Sequence, residues 1–165
     1  MEFKFVKNAN VSSDDLVEIA TIKQSQWNYP IEDQLEWIKS NILPNDIHVL
    51  MFENGNVVAY MNLVQVQVQV NSKESTFIGL GNVCAVEKGK GYGRILMIEV
   101  QEYIKAQNVP AILLCKKELI NFYTKFDWRL IKNRKDSYIK NDEINFMIYN
   151  FSDYVDVLKY DGRIF

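Results

Sequence analysis

Cysteine, histidine and proline are scarce in this sequence of 165 residues, which contains two cysteines, one histidine and three prolines. Two cysteines exclude a disulfide-rich secreted scaffold, and a lone histidine without a CxxC pair provides no set of metal ligands, so we expect no bound metal. The sequence also lacks a long apolar span and a charged leader followed by an apolar segment. We therefore expect a cytoplasmic protein that does not enter a membrane.

An excess of basic charge is also missing, because 19 lysines and arginines face 21 acidic residues and the net charge is −2. Proteins that bind a nucleic-acid backbone usually carry a basic surface, so we expect no nucleic-acid partner. Hydrophobic residues make up 48% of the sequence, which is ordinary for a chain of this length with a buried core. No linker-like segment interrupts it, and we expect one domain over residues 1–165.

What the sequence does have is a glycine-rich basic turn, Lys88-Gly89-Lys90-Gly91-Tyr92-Gly93-Arg94, between an apolar run and an amphipathic run. The order strand, glycine turn, helix presents backbone N–H groups and the positive end of a helix dipole to an anion, typically a phosphate. The turn lacks the Ser or Thr of a Walker loop, and Arg94 stands where a dinucleotide fingerprint needs its third glycine. Both nucleotide motifs are disfavoured, and a flexible connection is the alternative.

A second apolar run, Ala111–Cys115, follows a proline and predicts a buried strand that leads into a short helix. Helical spacing places four apolar residues on one face of that helix: Leu119, Phe122, Tyr123 and Phe126. Asp127 follows, and aspartate tolerates the left-handed conformation in which many helices end. Without a second motif, Tyr123 would be interpreted as one more core aromatic residue.

Together the glycine turn and the Phe122-Tyr123 helix resemble two motifs of the GNAT superfamily of acetyl-CoA-dependent N-acetyltransferases, in the same order along the chain. The pyrophosphate loop of that family has Arg or Gln, two residues, Gly, one residue, then Gly or Ala. Gly91 and Gly93 match this pattern. Lys88 takes the Arg or Gln position, where it keeps the charge but loses the planar donor fork. The resemblance covers residues 1–150.

The resemblance implies a mixed α/β (α+β) class, the GNAT fold, with a central, mostly antiparallel, twisted sheet of six to seven strands flanked by four helices. Periodicity agrees with this order, and Asn54-Gly55-Asn56 predicts a hairpin turn. The predicted strands are 1–7, 47–53, 57–70, 75–86, 111–115, 128–131 and 143–149, with a polar loop at 133–142. The predicted helices begin near Ser12, Ile31, Ile95 and Leu119.

In GNAT enzymes acetyl-CoA is the cosubstrate, so the resemblance implies direct transfer of an acetyl group from acetyl-CoA to an amine. It assigns the pyrophosphate to the glycine turn, through Lys88, Gly89, Lys90, Gly91, Tyr92, Gly93 and Arg94. It also implies that the backbone of Val83 and Ala85 orients the thioester and the pantetheine arm. Tyr123 stands at the position of the family's general acid, which protonates the departing thiolate.

The base that deprotonates the incoming ammonium is not evident, because the strand before the turn has no central carboxylate and Glu74 lies at its edge. A water molecule relayed by Asn82 is our interpretation. His48 is alone in an apolar strand and is more typical of a packed polar residue than of a catalyst. Cys84 has no neighbouring base in its strand, which favours a buried, inert thiol.

The acceptor is expected to be a primary amine on a small molecule. A set of residues on or beside the second helix would hold an ammonium by charge and cation–π attraction, or would equally be core wall and solvated face: Trp27, Tyr29, Asp33, Glu36 and Trp37. The stretch 113–123 also resembles aminoglycoside 2′-N-acetyltransferases. Acetylation of protein lysines or N-termini and a non-catalytic CoA-binding module are further alternatives. For residues 151–165 we expect core packing, with closure of the acceptor side or a homodimer contact as alternatives.

Overall fold

The structure, a computed structural model, describes residues 1–136 and 144–165. It has four α-helices and nine strands within these ranges, and the strands form a mostly antiparallel sheet, which confirms the predicted fold class. The strands are β1 Glu2–Lys7, β2 Ile47–Glu53, β3 Asn56–Val70, β4 Lys73–Ala85, β5 Ala111–Lys116, β6 Arg129–Leu130, β7 Arg134–Asp136, β8 Ile144–Tyr149 and β9 Leu158–Tyr160. The helices are α1 Ser13–Gln26, α2 Ile31–Asn41, α3 Tyr92–Gln107 and α4 Ile120–Thr124.

Two compact units make up the chain. The first unit contains residues 1–64, 81–99 and 165, and the second contains residues 65–80 and 100–164. Strands β3 and β4 and helix α3 contribute residues to both units. No helix among the described residues has the length and apolar character needed to cross a membrane.

In the first unit, β1, β2 and the first part of β3 pair antiparallel, with Val49 facing Phe5 on one side and Met61 on the other. Asn54 and Gly55, between β2 and β3, have φ angles of 51° and 79°. Two consecutive left-handed residues are what a type I′ hairpin turn requires, and Asn-Gly is the preferred pair there. The hairpin predicted from the sequence is therefore confirmed.

Helix α1 begins as predicted, because the Ser12 hydroxyl accepts from the Asp15 N–H at 3.1 Å and Asp15 accepts from the Ser12 N–H, forming a capping box. One face of α1 is fully buried and carries Ile19 and Ile22. Helix α2 buries Gln34 and Ile38. Leu35, on the same helix, is only half-buried.

In the second unit, the Val/Gln alternation of β3 behaves as its period predicts. Val66, Val68 and Val70 are buried, whereas Gln65 and Gln67 are exposed. The first part of β4 pairs parallel with β5 through residues 78–80, β5 pairs antiparallel with β8, and β8 pairs antiparallel with β6. The core of this unit lies on the valine side of β3.

The prediction of a polar loop at 133–142 is wrong for its first part, because Arg134–Asp136 forms strand β7 and pairs parallel with β9. Residues 137–143, including the predicted strand start at Glu143, lie outside the described residues. Strand β9 also pairs antiparallel with the end of β3. Pairing partners this far apart in the chain leave no local signal in a short polar segment, so neither strand was predicted.

The prediction that residues 151–165 pack in the core is confirmed only in part. Leu158 and Tyr160 are 0% and 4% exposed, which confirms core packing at these two positions. Tyr154 is 79% exposed, so the same prediction is wrong there. Burial in this segment begins only where the chain joins the sheet.

Helix α4 is shorter than predicted, because residues 117–119 form a 3-10 turn before it, and Leu119 is 42% exposed instead of packed with the aromatic residues. Phe126 is buried, as expected. Asp127 has a φ of 60°, which confirms the left-handed helix end.

Asp127→Gly should raise the free energy of unfolding by about 0.5–1 kcal/mol, because glycine adopts this φ without the strain of a Cβ atom. Urea denaturation of the wild-type protein and the variant measures the change. A variant less stable than wild type would show that the aspartate side chain stabilises this turn by more than the backbone strain costs.

Candidate functional site

The glycine turn of the first unit connects the end of β4 at Ala85 to the start of α3 at Tyr92. The carbonyl of Gly91 accepts the N–H of Ile95 at 3.1 Å, the first hydrogen bond of the helix. By helix geometry, the N–H groups of Tyr92, Gly93 and Arg94 precede that bond and have no intrahelical acceptor. The first turn carries no acidic residue. The predicted order of strand, turn and helix is confirmed, and the helix end suits an anion.

Gly89 and Gly91 have φ angles of 89° and 80°, in the left-handed region that favours glycine. A Cβ atom built on either residue would meet no atom within 4 Å. Both glycines are exposed. The turn therefore presents bare backbone to open space and is not packed against the protein.

Side chains of the turn divide into two groups. Lys88 and Arg94 are exposed, and Lys90 forms an exposed ion pair with Glu87 at 2.9 Å. The hydrogen bond that Lys90 donates to the Glu87 carboxylate raises the pKa of Lys90. These cations give the turn a positive surface without an extended basic patch.

Tyr92 differs from its neighbours, because its ring is only 5% exposed. Its hydroxyl donates to the carboxylate of Glu53, the last residue of β2, at 2.6 Å. This hydrogen bond raises the pKa of Tyr92. The sequence placed Tyr92 among the cofactor-binding residues. The hydroxyl anchors the start of α3 to the end of β2, and the cofactor-binding role of Tyr92 stays a prediction.

Strand β4 departs from regular extended geometry at Asn82, whose φ is 52°. Val83 and Ala85 are half-buried and Cys84 is 5% exposed, so the side chains alternate as in a regular strand after Asn82. A left-handed residue inside a strand redirects the backbone, as β-bulges do next to many active sites. The break lies directly before Val83, the residue expected to orient the thioester.

The Asn82 side chain donates from Nδ2 to Oδ1 of Asn62, on β3, at 2.6 Å. Asn62 is 0% exposed, and its own Nδ2 has no hydrogen-bond partner among the residues that the structure describes. Sequence reasoning missed Asn62. The one available signal was an amide in the apolar run Ala59–Val64, where a buried polar side chain needs a partner.

Lys23, on α1, is another unexpected buried polar residue, at 2% exposed. Its ammonium lies 3.9 Å from the centroid of the Trp37 ring, a cation–π contact. Burial lowers the pKa of Lys23 to about 8. Of the two interpretations of the aromatic group near α2, this contact favours core wall for Trp37, because the protein's own lysine covers the ring.

Cys84 is buried, and burial raises its pKa to about 12, although the nearby Lys23 acts in the opposite direction. A thiol with such a pKa holds almost no thiolate at neutral pH and is a poor nucleophile. The structure therefore agrees with the expected inert thiol.

His48 is completely buried and hydrogen-bonded at both ring nitrogens, to the Tyr60 hydroxyl at 2.8 Å and to Asn8 Oδ1 at 3.0 Å. Asn8 uses its Nδ2 to donate to the Ile42 carbonyl, which fixes its oxygen toward the histidine. Nε2 of His48 therefore carries the proton, and Nδ1 accepts from Tyr60. Burial lowers the pKa of His48 to about 4. His48 is a neutral packed residue, as expected.

In the second unit, Tyr123 lies on α4 and is 6% exposed. Its ring makes edge contacts with Phe122 and Trp128, with centroid distances of 5.0 Å and 6.3 Å. Burial raises the pKa of Tyr123 well above its usual value, and Cys115 raises it further. The phenol is therefore protonated at physiological pH, the state that a proton donor needs.

No group of three or more His, Cys, Asp or Glu side chains in residues 1–136 and 144–165 is arranged to hold a metal ion.

Comparison with known proteins gives a family match and a structural match. The model of the acetyltransferase (GNAT) domain family matches residues 8–131. No curated protein matches the sequence significantly.

Solved structures with the same fold include Escherichia coli ElaA, which is 19% identical with a TM-score of 0.66 over 89% of this chain and 97% of that protein. A GNAT family acetyltransferase from Brucella melitensis in complex with acetyl-CoA is 16% identical, with a TM-score of 0.62 over 98% and 97% of the two chains. The Bacillus subtilis N-acetyltransferase YlbP in complex with coenzyme A is 18% identical, with a TM-score of 0.59 over 90% and 96%. At these identities the likeness shows the fold alone. The family match spans most of the sequence, and the chain belongs to the GNAT acetyltransferase family.

Proposed function

We propose that this protein transfers an acetyl group from acetyl-CoA directly to the primary amine of a small molecule. Membership of the GNAT family makes it an acyltransferase with acetyl-CoA as its cosubstrate. The observation that carries the rest of the proposal is the turn Lys88–Arg94, which joins two left-handed, unobstructed glycines to the start of α3.

The diphosphate of coenzyme A fits this turn. Its negative charge would be matched by the helix dipole and by the N–H groups of Tyr92, Gly93 and Arg94. Open space at Gly89 and Gly91 would let phosphate oxygens approach the backbone closely. Positive charge would be added by Lys88, Lys90 and Arg94. The attraction of Lys90 for the diphosphate would be reduced by its ion pair with Glu87.

In the proposed reaction the neutral amine attacks the thioester carbon, a C–N bond forms and the C–S bond breaks. Backbone groups of Val83 and Ala85, next to the break in β4 at Asn82, would orient the acyl group and the pantetheine arm. Tyr123 would donate its proton to the departing sulfur, giving free CoA thiol. The proton lost from the amine would pass to a water molecule held by Asn82, and the phenol would be reprotonated from solvent.

The sequence carries no motif for the acceptor, so the test of function includes other acceptors. Protein lysines or N-termini and aminoglycosides would use the same donor machinery, and a non-catalytic CoA-binding protein would use only part of it. A cytoplasmic location agrees with two unpaired, buried cysteines. A single domain over residues 1–165 and a homodimer stay predictions.

Acetyl-CoA at a concentration of about 100 times its Kd should stabilise the protein by about 2.7 kcal/mol, because a ligand that binds only the folded state shifts unfolding by mass action. For a chain of this size this corresponds to a rise in Tm of roughly 5–10 °C. Thermal denaturation with acetyl-CoA measures the shift, and free CoA should compete for it.

A thiol-release assay with small amines, peptides and aminoglycosides then identifies the acceptor class. Thiol release with peptides alone would contradict the small-molecule acceptor. A Tm shift without thiol release from any acceptor would favour the non-catalytic CoA-binding module. No Tm shift with millimolar acetyl-CoA would contradict the assignment of the glycine turn.

A further inference from the structure

The buried amide of Asn62 lacks a hydrogen bond that it needs. Its oxygen accepts from Asn82, but its Nδ2 has no partner among the described residues, although the side chain is completely buried. Leaving such a donor unsatisfied is costly, and native proteins rarely do so. A ligand or a water molecule can supply the missing acceptor. A donor without an acceptor indicates that the missing partner carries an oxygen.

The position of this donor connects it to the proposed reaction. Asn62 contacts Asn82 at the left-handed break in β4, and Asn82 is followed directly by Val83, the proposed contact of the acyl group. A Cβ atom on Gly81, the residue before Asn82, would lie 3.2 Å from Asn62 Nδ2. The Nδ2 donor of Asn62 therefore lies beside the backbone that directly precedes the proposed acyl position.

The space beside Gly81 is occupied by the backbone C and O atoms of Phe165. A Cβ atom on Gly81 would lie 2.3 Å from the carbonyl carbon and 2.9 Å from the carbonyl oxygen of Phe165, so only glycine leaves this room. That carbonyl does not complete the hydrogen bonding of Asn62. A ligand oxygen that bonds to Asn62 Nδ2 from this side would take the place of this Phe165 backbone group.

We propose that the amide pair Asn62–Asn82 is an acceptor subsite that binds a carbonyl-type oxygen, so that the substrate is an amine carrying a carboxylate or amide carbonyl near its amino group. This inference rests on the proposed function and narrows its substrate class. Asn62 Nδ2 donates to the substrate oxygen and holds the amine in place. Asn82 fixes the orientation of the Asn62 amide through the 2.6 Å hydrogen bond.

Matched pairs of amines test the subsite in the wild-type protein: phenylalanine and phenethylamine, lysine and cadaverine, glycinamide and ethylamine. Thiol release from acetyl-CoA is measured for each, and rates are expressed per unprotonated amine, because a carbonyl lowers the pKa of a neighbouring amino group. The carbonyl-bearing member should have a kcat/KM at least about tenfold higher, mainly through KM, as expected for one hydrogen bond to a buried donor. Equal values within all pairs would overturn the subsite and leave the acetyltransferase intact.

Variants then assign the preference to Asn62. Asn62→Leu, of similar shape, should reduce the preference to about twofold or less, and Asn62→Asp should disfavour the carboxylates more than glycinamide, because like charges repel. Both should keep the Tm shift with acetyl-CoA. Gln34→Met removes a buried amide of α2 elsewhere in the first unit and should keep the full preference. A preference that survives in Asn62→Leu would overturn the subsite, whereas no thiol release from any amine would overturn the proposed function together with it.

Discussion

Tyr123→Phe should lower the rate of acetyl transfer by about 10²–10⁴-fold, the contribution usual for a general acid, while the Kd for acetyl-CoA changes by about twofold at most. The change removes only the hydroxyl. The ring contacts with Phe122 and Trp128 remain possible, so packing in the second unit should be preserved. Steady-state thiol release and the Tm shift with acetyl-CoA separate the two quantities.

The pH dependence of the wild-type rate is a further part of this prediction. Burial raises the pKa of the Tyr123 hydroxyl, so the neutral, proton-donating form persists to higher pH than for an exposed tyrosine. The rate should therefore rise with pH as the acceptor amine loses its proton, and should show no fall caused by Tyr123 below about pH 10. A fall near pH 8 would point to a different acid.

Tyr149→Phe is a matched control, because Tyr149 is also buried in the second unit and its ring stacks on Trp128 at 5.4 Å. It should lower stability slightly and leave the transfer rate within about threefold. Equal rate losses in both variants would assign the effect to the packing of the aromatic cluster. An unchanged rate in Tyr123→Phe would remove Tyr123 from the mechanism.

Local signals in the sequence predicted the parts of this fold that neighbouring residues determine. The Ser12 capping box, the Asn54-Gly55 turn and the left-handed Asp127 are set within a few residues, and all three are found. The alternation in β3 was predicted for the same reason, because a period of two fixes which side chains share a face. The glycine turn and Tyr123 also lie where the sequence predicted them, between a strand and a helix and on a short helix, respectively.

Contacts between distant residues explain what the sequence did not predict. Strands β7 and β9 are three residues each and exist through pairing with segments far away in the chain. Lysine is usually found at the surface, so nothing in the sequence indicated that Lys23 would be buried. In the structure its ammonium lies against the Trp37 ring of the next helix. Hydrophobic periodicity carries no information on either contact.

The candidate site shows the same division. The glycine turn was found because its chemistry is written in consecutive residues. Only one member of the amide pair was predicted from the sequence. Asn82 was noticed because it lies in the strand before that turn, whereas its partner Asn62 lies on β3. A buried polar residue on a neighbouring strand is identified by its missing hydrogen bond, which only the structure reveals.

Gly91→Ala should weaken acetyl-CoA binding by about tenfold or more. Alanine at a φ of 80° strains the turn by about 1–2 kcal/mol, and its methyl group would occupy the open space that phosphate oxygens need. Isothermal titration gives the Kd. CoA should weaken by the same factor as acetyl-CoA, because both ligands share the diphosphate.

The chain provides a closely matched control in Gly55, in the β2–β3 hairpin. Its φ of 79° nearly equals that of Gly91, and a Cβ atom there would also meet nothing within 4 Å. Gly55→Ala and Gly91→Ala should therefore lose similar stability, and only the second should lose affinity. Similar Kd values for acetyl-CoA in the two variants would mean that backbone strain alone explains the effect on binding. The space beside Gly91 would then not receive the diphosphate.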